Sequence, residues 1–380
     1  MSKKFLIGQL AYFGDCLYAT TVAKQIKSDF PDSHITWAIA SKYKSILLLN
    51  RYVDKIWEIE IVNNDYFGNG WTEFEAEAKR RQNCGEYDEV FFTQIQPNWG
   101  NYDGTIRSSI LNGYPRPITV PVHPVIQLSI SEIERVRIFS EKYKLFNYKK
   151  RVLFECSPGS GQSFVDFSFS LAVAEAVVAR NNDVCIILSS PFPLNHPSPQ
   201  ILDASELTYR ENAELLKYCT LLIGCSSGIT WLATSEWAKK IDMLQLLNRN
   251  NVLYSGIKYD FELWNISTSN VIEVTINNKD YVIDCVIDIL QKDFESAKRR
   301  FDEVYKPSYV NFREVLRFVL LSTGTDKSKK LIRTIFGHAK RSPHFNIVVL
   351  LYLSAIEIFN FYLRKCFVFI RQKAPYKKNN

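Results

Sequence analysis

Twice along this chain, short β-branched or aromatic runs alternate with helical patterns, and a proline-rich segment separates the two series. That rhythm constrains the fold more than any other feature. Successive strand–helix–strand units bury both faces of their strands when the strands run parallel and helices cover the sheet. In the first series, residues 5–10 read as a strand, 16–27 as a helix and 35–40 as a second strand. A short helix over 43–49 follows, then strands at 55–61 and 89–94 with a helix at 71–82 between them. Pro115, Pro117, Pro121 and Pro124 then withdraw amide donors and restrict their neighbours, which marks loop or domain-edge material. A helix is expected at 131–144, with Ser131 as N-cap and Glu134 at the capping-box position.

The second series opens at Arg151. Strands are expected at 152–156, 184–188, 221–223 and 241–246, with helices at 169–180, 207–218 and 229–238. From Val282 onward the chain reads as helical. The expected division is an N-terminal Rossmann-like domain over 1–146, a second one over 151–290 facing it across a cleft, and a helical extension over 291–380. A length of 380 residues suits two domains that each bury a core, and 46% hydrophobic with 23% charged residues is ordinary globular composition.

The net charge of +7 is unevenly placed. Residues 326–380 hold twelve Lys or Arg against Asp326 and Glu357, a net of +10, which leaves −3 for the rest of the chain. A body that grips nucleic acid along its length is thereby disfavoured, and a local anionic contact is favoured. The eight cysteines form no C-x-x-C pair and no ligand-like cluster with the five histidines, so reduced core thiols in a cytosolic protein are expected. The short apolar start, broken by Gln9, reads as a first strand rather than a signal peptide.

Three turns that follow strands carry the candidate chemistry. In the first, Gly8 to Asp15, the glycine spacing fails the dinucleotide fingerprint. Asp15 either caps the following helix or projects into the cleft as a general base. The second, Ile223-Gly224-Cys225-Ser226-Ser227-Gly228-Ile229-Thr230, offers amides, hydroxyls and a helix N-terminus to an anion such as a nucleotide diphosphate. Its serines alternatively only cap. The third, Glu155 to Ser163, is rich in Gly and Ser and suits close approach to phosphate or sugar, or is a domain-edge loop. Glu155 would meet a ribose hydroxyl or cap its own loop. No D-x-D-type pair at a strand end points to a bound divalent metal, and no other cofactor is expected.

With these turns in place, residues 7–50 (IGQLAYFGDCLYATTVAKQIKSDFPDSHITWAIASKYKSILLLN) resemble the opening of the heptosyltransferase family, glycosyltransferase family 9. Residues 206–238 (ELTYRENAELLKYCTLLIGCSSGITWLATSEWA) are similar to that family's donor-side segment. The resemblance covers roughly residues 4–250 and implies a GT-B fold, two Rossmann-like domains facing a cleft. It implies transfer of a sugar from a nucleotide-sugar donor to a glycan or lipid-linked acceptor, as in cell-surface polysaccharide or lipopolysaccharide assembly, inverting and without metal. Asp15 matches the acid taken as the base for the acceptor hydroxyl. Gly228, with Ser226, Ser227 and Thr230, matches the donor-phosphate turn, and Ser157, Gly159 and Ser160 are further donor candidates.

Ser226 stands where the family usually has Asp, Trp231 where it usually has His, and residues 157–169 contain no Lys. These departures favour an alternative in which the chain is a catalytically silent glycan- or nucleotide-binding module. A nucleotide-sugar epimerase of the same fold is a further alternative. Trp99 and Tyr102, in an aromatic and amide-rich loop after a strand, are the acceptor-binding candidates.

The apolar stretch 345–363 is flanked by basic residues and interrupted by Asn346, Ser354, Glu357 and Asn360. Three readings are open: a transmembrane helix of about 20 residues, an interfacial helix on anionic lipid, or a helix packed back on the domains. Each Lys or Arg near anionic lipid would add about 1 kcal/mol. The expected location is cytoplasmic, peripheral at the inner face of the plasma membrane.

Overall fold

The computed structural model describes residues 2–373 apart from 62–63, 67, 97, 99–100, 102–104, 160, 250–255, 304–307, 322–326 and 342–344. At 327, 329–330, 333, 340–341 and 365–373 it describes the backbone alone. The N-terminal half carries β1 (Lys4–Gly8), α1 (Phe13–Asp29), β2 (His34–Ala40), β3 (Lys55–Ile59), α2 (Asn69–Asn83), β4 (Glu89–Phe92), α3 (Ile106–Leu111) and α4 (Ile130–Lys142). Its four strands pair in the order β3-β2-β1-β4, all parallel. The short helix expected after β2 is a 3-10 helix over Ser41–Leu47.

The second half carries β5 (Lys150–Glu155), α5 (Phe167–Val178), β6 (Val184–Ser189), β7 (Ile201–Asp203), α6 (Glu211–Tyr218), β8 (Leu221–Gly224), α7 (Gly228–Ala233), β9 (Asp242–Leu246), α8 (Ile257–Leu263), β10 (Val271–Val274) and α9 (Lys279–Gln291). The six strands form a second parallel sheet in the order β10-β9-β8-β5-β6-β7. Four helices complete the described chain: α10 (Phe294–Phe301), α11 (Tyr309–Leu321), α12 (Lys327–Arg341) and α13 (Ile347–Lys373).

Parallel strands covered on both faces should be nearly uniformly apolar. Val152–Phe154, Val184–Leu188 and Leu221–Ile223 are so, and all are buried. Six of the seven described cysteines are buried free thiols; Cys84 is exposed.

Three expectations needed correction. The capping box of α4 is made by Ser129 and Glu132, two residues before the expected pair. The helix after β8 ends at Ala233 instead of residue 238, because the hydroxyls of Thr234 and Ser235 donate to the carbonyls of Trp231 and Leu232 at 3.0 and 2.6 Å. The strands β7 and β10 and the helices α3 and α8 were not anticipated.

One apolar core runs through both halves, joining Ile7, Leu17 and Trp37 to Leu153, Leu216, Trp231 and Met243. Two buried arginines reinforce it. Arg107 of α3 donates from Nε to Asp260 of α8 at 2.9 Å and from Nη1 to the Val122 carbonyl at 2.7 Å. Arg210, just before α6, donates to Glu132 at 2.6 and 3.0 Å and to the carbonyls of Ser45 and Leu48 at 3.0 and 3.2 Å. Burial alone would raise the Glu132 carboxyl; the Arg210 and Ser129 bonds outweigh it and hold the group down at about 2.

Candidate active site between the two domains

The turn after β1 is held from the neighbouring strand. The side-chain oxygen of Gln94, just past β4, accepts the amides of Leu10 at 3.1 Å and Ala11 at 3.0 Å, and the Gln9 side-chain amide at 3.0 Å. Tyr12 then adopts a left-handed backbone, φ +67°, and α1 begins. A non-glycine residue in that region costs about 1–3 kcal/mol and persists where its surroundings impose it. Asp15 lies inside the first turn of α1, and Tyr12 holds the N-cap position, so a capping role for Asp15 is corrected. Burial pushes its carboxyl up to about 7.

The turn after β8 is organised around an acid that the sequence reading placed elsewhere. Glu155, at the end of β5, is fully enclosed and reaches across to this turn. It accepts the amides of Cys225 at 2.9 Å and Ile229 at 3.1 Å, and the hydroxyls of Ser227 and, at 3.2 Å, Thr230. Burial raises its carboxyl, and those four bonds pull it back part of the way. Ser226 has φ +51°; its amide donates to Gln245 at 3.2 Å and its hydroxyl to Gln162 at 3.2 Å.

At three of the expected donor-turn residues the hydroxyls face the protein. Thr230 and Ser226 are buried, and with the Ser227 hydroxyl they bond inward to protein groups. Glu155 caps this turn and not its own loop. Ser227 and Gly228 remain partly exposed, and Ser157 and Gly159 in the loop after β5 are exposed. Space is open around Gly159. Ser160, Trp99 and Tyr102 lie outside the described residues.

The two turns meet. A Cβ on Gly14 would come within 2.8 Å of the Trp231 ring and 3.7 Å of the Gly228 Cα, so only glycine permits this approach. Gly228 is pressed likewise by Tyr209, whose hydroxyl donates to the Gly228 carbonyl at 2.8 Å. Aromatic rings fill the seam: Phe13 stacks on Tyr209 at 4.7 Å, and Tyr18 lies 4.6 Å from Trp231. Phe13 and Tyr66 both pack against Tyr43. Asp15, whose carboxyl burial raises, stands one residue from the Gly14 contact between the domains.

A solved structure of a family 9 glycosyltransferase from Veillonella parvula matches this architecture with a TM-score of 0.53. The match covers 77% of this chain and 90% of that one at 13% identity. The fold is GT-B. The family 9 resemblance read from the sequence and this structural likeness agree with each other. An ADP-heptose lipopolysaccharide heptosyltransferase II from E. coli is also similar, with a TM-score of 0.48 and 12% identity over 73% of this chain and 92% of that one. No family model matches the sequence. No curated protein matches it either.

Within the GT-B frame, Asp15 belongs to the N-terminal domain and the Ser227–Gly228 backbone to the C-terminal one. Among the described residues, no three His, Cys, Asp or Glu side chains come together as a metal site. Sequence reasoning missed Gln94, Tyr209 and Gln245. Each sits near the end of a strand or in a loop whose neighbour is known only once strand order is known.

Proposed function

We propose that the chain is a glycosyltransferase that moves a sugar from a nucleotide-sugar donor to a glycan or lipid-linked acceptor, with inversion and with Asp15 as general base. The carrying observation is the place of Asp15, next to Gly14 where the first-strand turn meets Trp231 and Gly228, and burial there pushes its carboxyl up to about 7. A base is most effective when its pKa lies near the working pH, since it is then both available and basic enough to take an acceptor proton. Donor phosphates would lie against the Ser227–Gly228 backbone and the exposed Ser157–Gly159 loop, at the positive end of α7. Cell-surface glycan assembly is the process that such an acceptor suits.

A second reading has its own observation. The Glu155 carboxylate occupies the amides and hydroxyls that a phosphate would otherwise use, which favours a catalytically silent module. Thermal unfolding with a panel of nucleotide sugars and free nucleotides separates the two. A ligand at 100 times its Kd adds about 2.7 kcal/mol of stability. Stabilisation by a nucleotide sugar, followed by release of the nucleotide when an acceptor is added, supports transfer. Stabilisation by a glycan, with none by any nucleotide or nucleotide sugar, supports the module.

A further inference from the structure

The C-terminal helices present an apolar surface that the two sheet domains leave uncovered. The 27-residue α13 is about 40 Å long at 1.5 Å per residue. One side of it packs on α11 and α12. Leu350, Ser354 and Glu357, spaced i, i+4, i+7, are buried there. The opposite side carries Val348, Leu351, Tyr352, Phe359, Tyr362 and Leu363, each between 43% and 67% exposed, and no charged residue among the described side chains.

Glu357 is the one acid that interrupts the apolar stretch in the sequence. It points inward at 3% exposure and is bonded by Arg313 and Arg317 at 2.7–2.8 Å. The acidic interruption is therefore neutralised inside the helical unit and absent from the exposed face.

We infer that α13 lies on an anionic bilayer surface, with this apolar face at the headgroup–acyl boundary. Charge complementarity identifies the occupant, since the sequence from 326 to 380 that contains this helix holds twelve Lys or Arg against two acids. An interfacial pose fits better than a spanning one. The helix spends its other side on α11 and α12, and crossing the bilayer would strip Glu357 from its arginines or carry both arginines into hydrocarbon. This inference is independent of the glycosyl-transfer reading.

The test is flotation of the full chain with vesicles of phosphatidylcholine alone and with added phosphatidylglycerol. The wild type is expected to float with the anionic vesicles, at least tenfold more than with neutral ones. The double variant Tyr352→Glu, Phe359→Glu alters exposed side chains only and should lose that flotation while keeping its melting temperature. Phe192→Glu, at an exposed apolar position in the second domain, should float like the wild type. Equal flotation by the double variant, or none by the wild type, overturns the inference. So does light scattering that shows a dimer abolished by the double variant without any vesicle binding, because the face would then belong to a second copy of the chain.

Discussion

At Asp15, helix geometry and solvation act in opposite directions. The first turn of a helix favours a negative charge by about 0.3–1 kcal/mol, whereas desolvation disfavours it more strongly. Burial prevails and sets the carboxyl at about 7. The folded protein therefore holds this proton up to about pH 7, while the unfolded chain releases it near pH 4. Between those values the native state binds more protons, so Asp15 makes stability fall as pH rises. Replacing Asp15 with Asn removes the effect. The variant should melt a few degrees above the wild type at pH 8 and together with it at about pH 4; a difference that does not vary with pH would contradict the assignment. Asp15 was legible because a Gly-Asp pair follows the first strand in sequence. Glu155 was not, because its partners lie 70 to 75 residues downstream and become neighbours only when β5 pairs with β8.

Element boundaries show which local signals prevail. Two overlapping Ser-x-x-Glu frames could start α4, at Ser129 and at Ser131. The earlier one is used, and its Glu132 also receives Arg210, so a tertiary bond and a local cap coincide. The strands β7 and β10 are three and four residues long and have too little local pattern to read; their parallel pairing with β6 and β9 defines them.

In the helical unit, His338 of α12 is buried between Phe312 and Phe345, and its Nδ1 lies 2.8 Å from the Thr334 carbonyl. Burial lowers its pKa to about 4. The neutral ring's stabilising share is fully present above about pH 6.5, the unfolded value, and is lost as pH falls towards about 4. Amide protection factors in α12, corrected for the intrinsic pH dependence of exchange, should fall on acidification from pH 7 to 5, and His338→Phe should blunt that change. Protection factors in α12 that are flat across this range would refute it.

On the scale of the whole molecule, the two-sheet architecture was readable because each sheet repeats its own strand–helix rhythm. The closure between the sheets was not, since it depends on side chains far apart in sequence, such as Phe13 with Tyr209 and Arg107 with Asp260. Arg210 links the two halves through Glu132 and two backbone carbonyls. Removing one partner of a buried ion pair costs about 3–5 kcal/mol, because the other charge is left uncompensated. Arg210→Met should therefore lose about that much stability in urea titration. Its radius of gyration, measured by small-angle scattering, should rise if the halves separate. A loss under about 1 kcal/mol, below the range for a buried pair, would mean the pair does not hold the halves together.

Sugar transfer from a nucleotide donor, with Asp15 taking the acceptor proton, is tested most directly by one rate measurement. Nucleotide release from the sugar nucleotide that stabilises the protein is followed with acceptor present, from pH 5 to 9, for the wild type and Asp15→Asn. The account predicts a wild-type rate that rises through about pH 7 and a variant that binds the donor equally well but is slower by at least about 100-fold, the lower range for a lost general base. Wild-type-like turnover by a folded Asp15→Asn would contradict it.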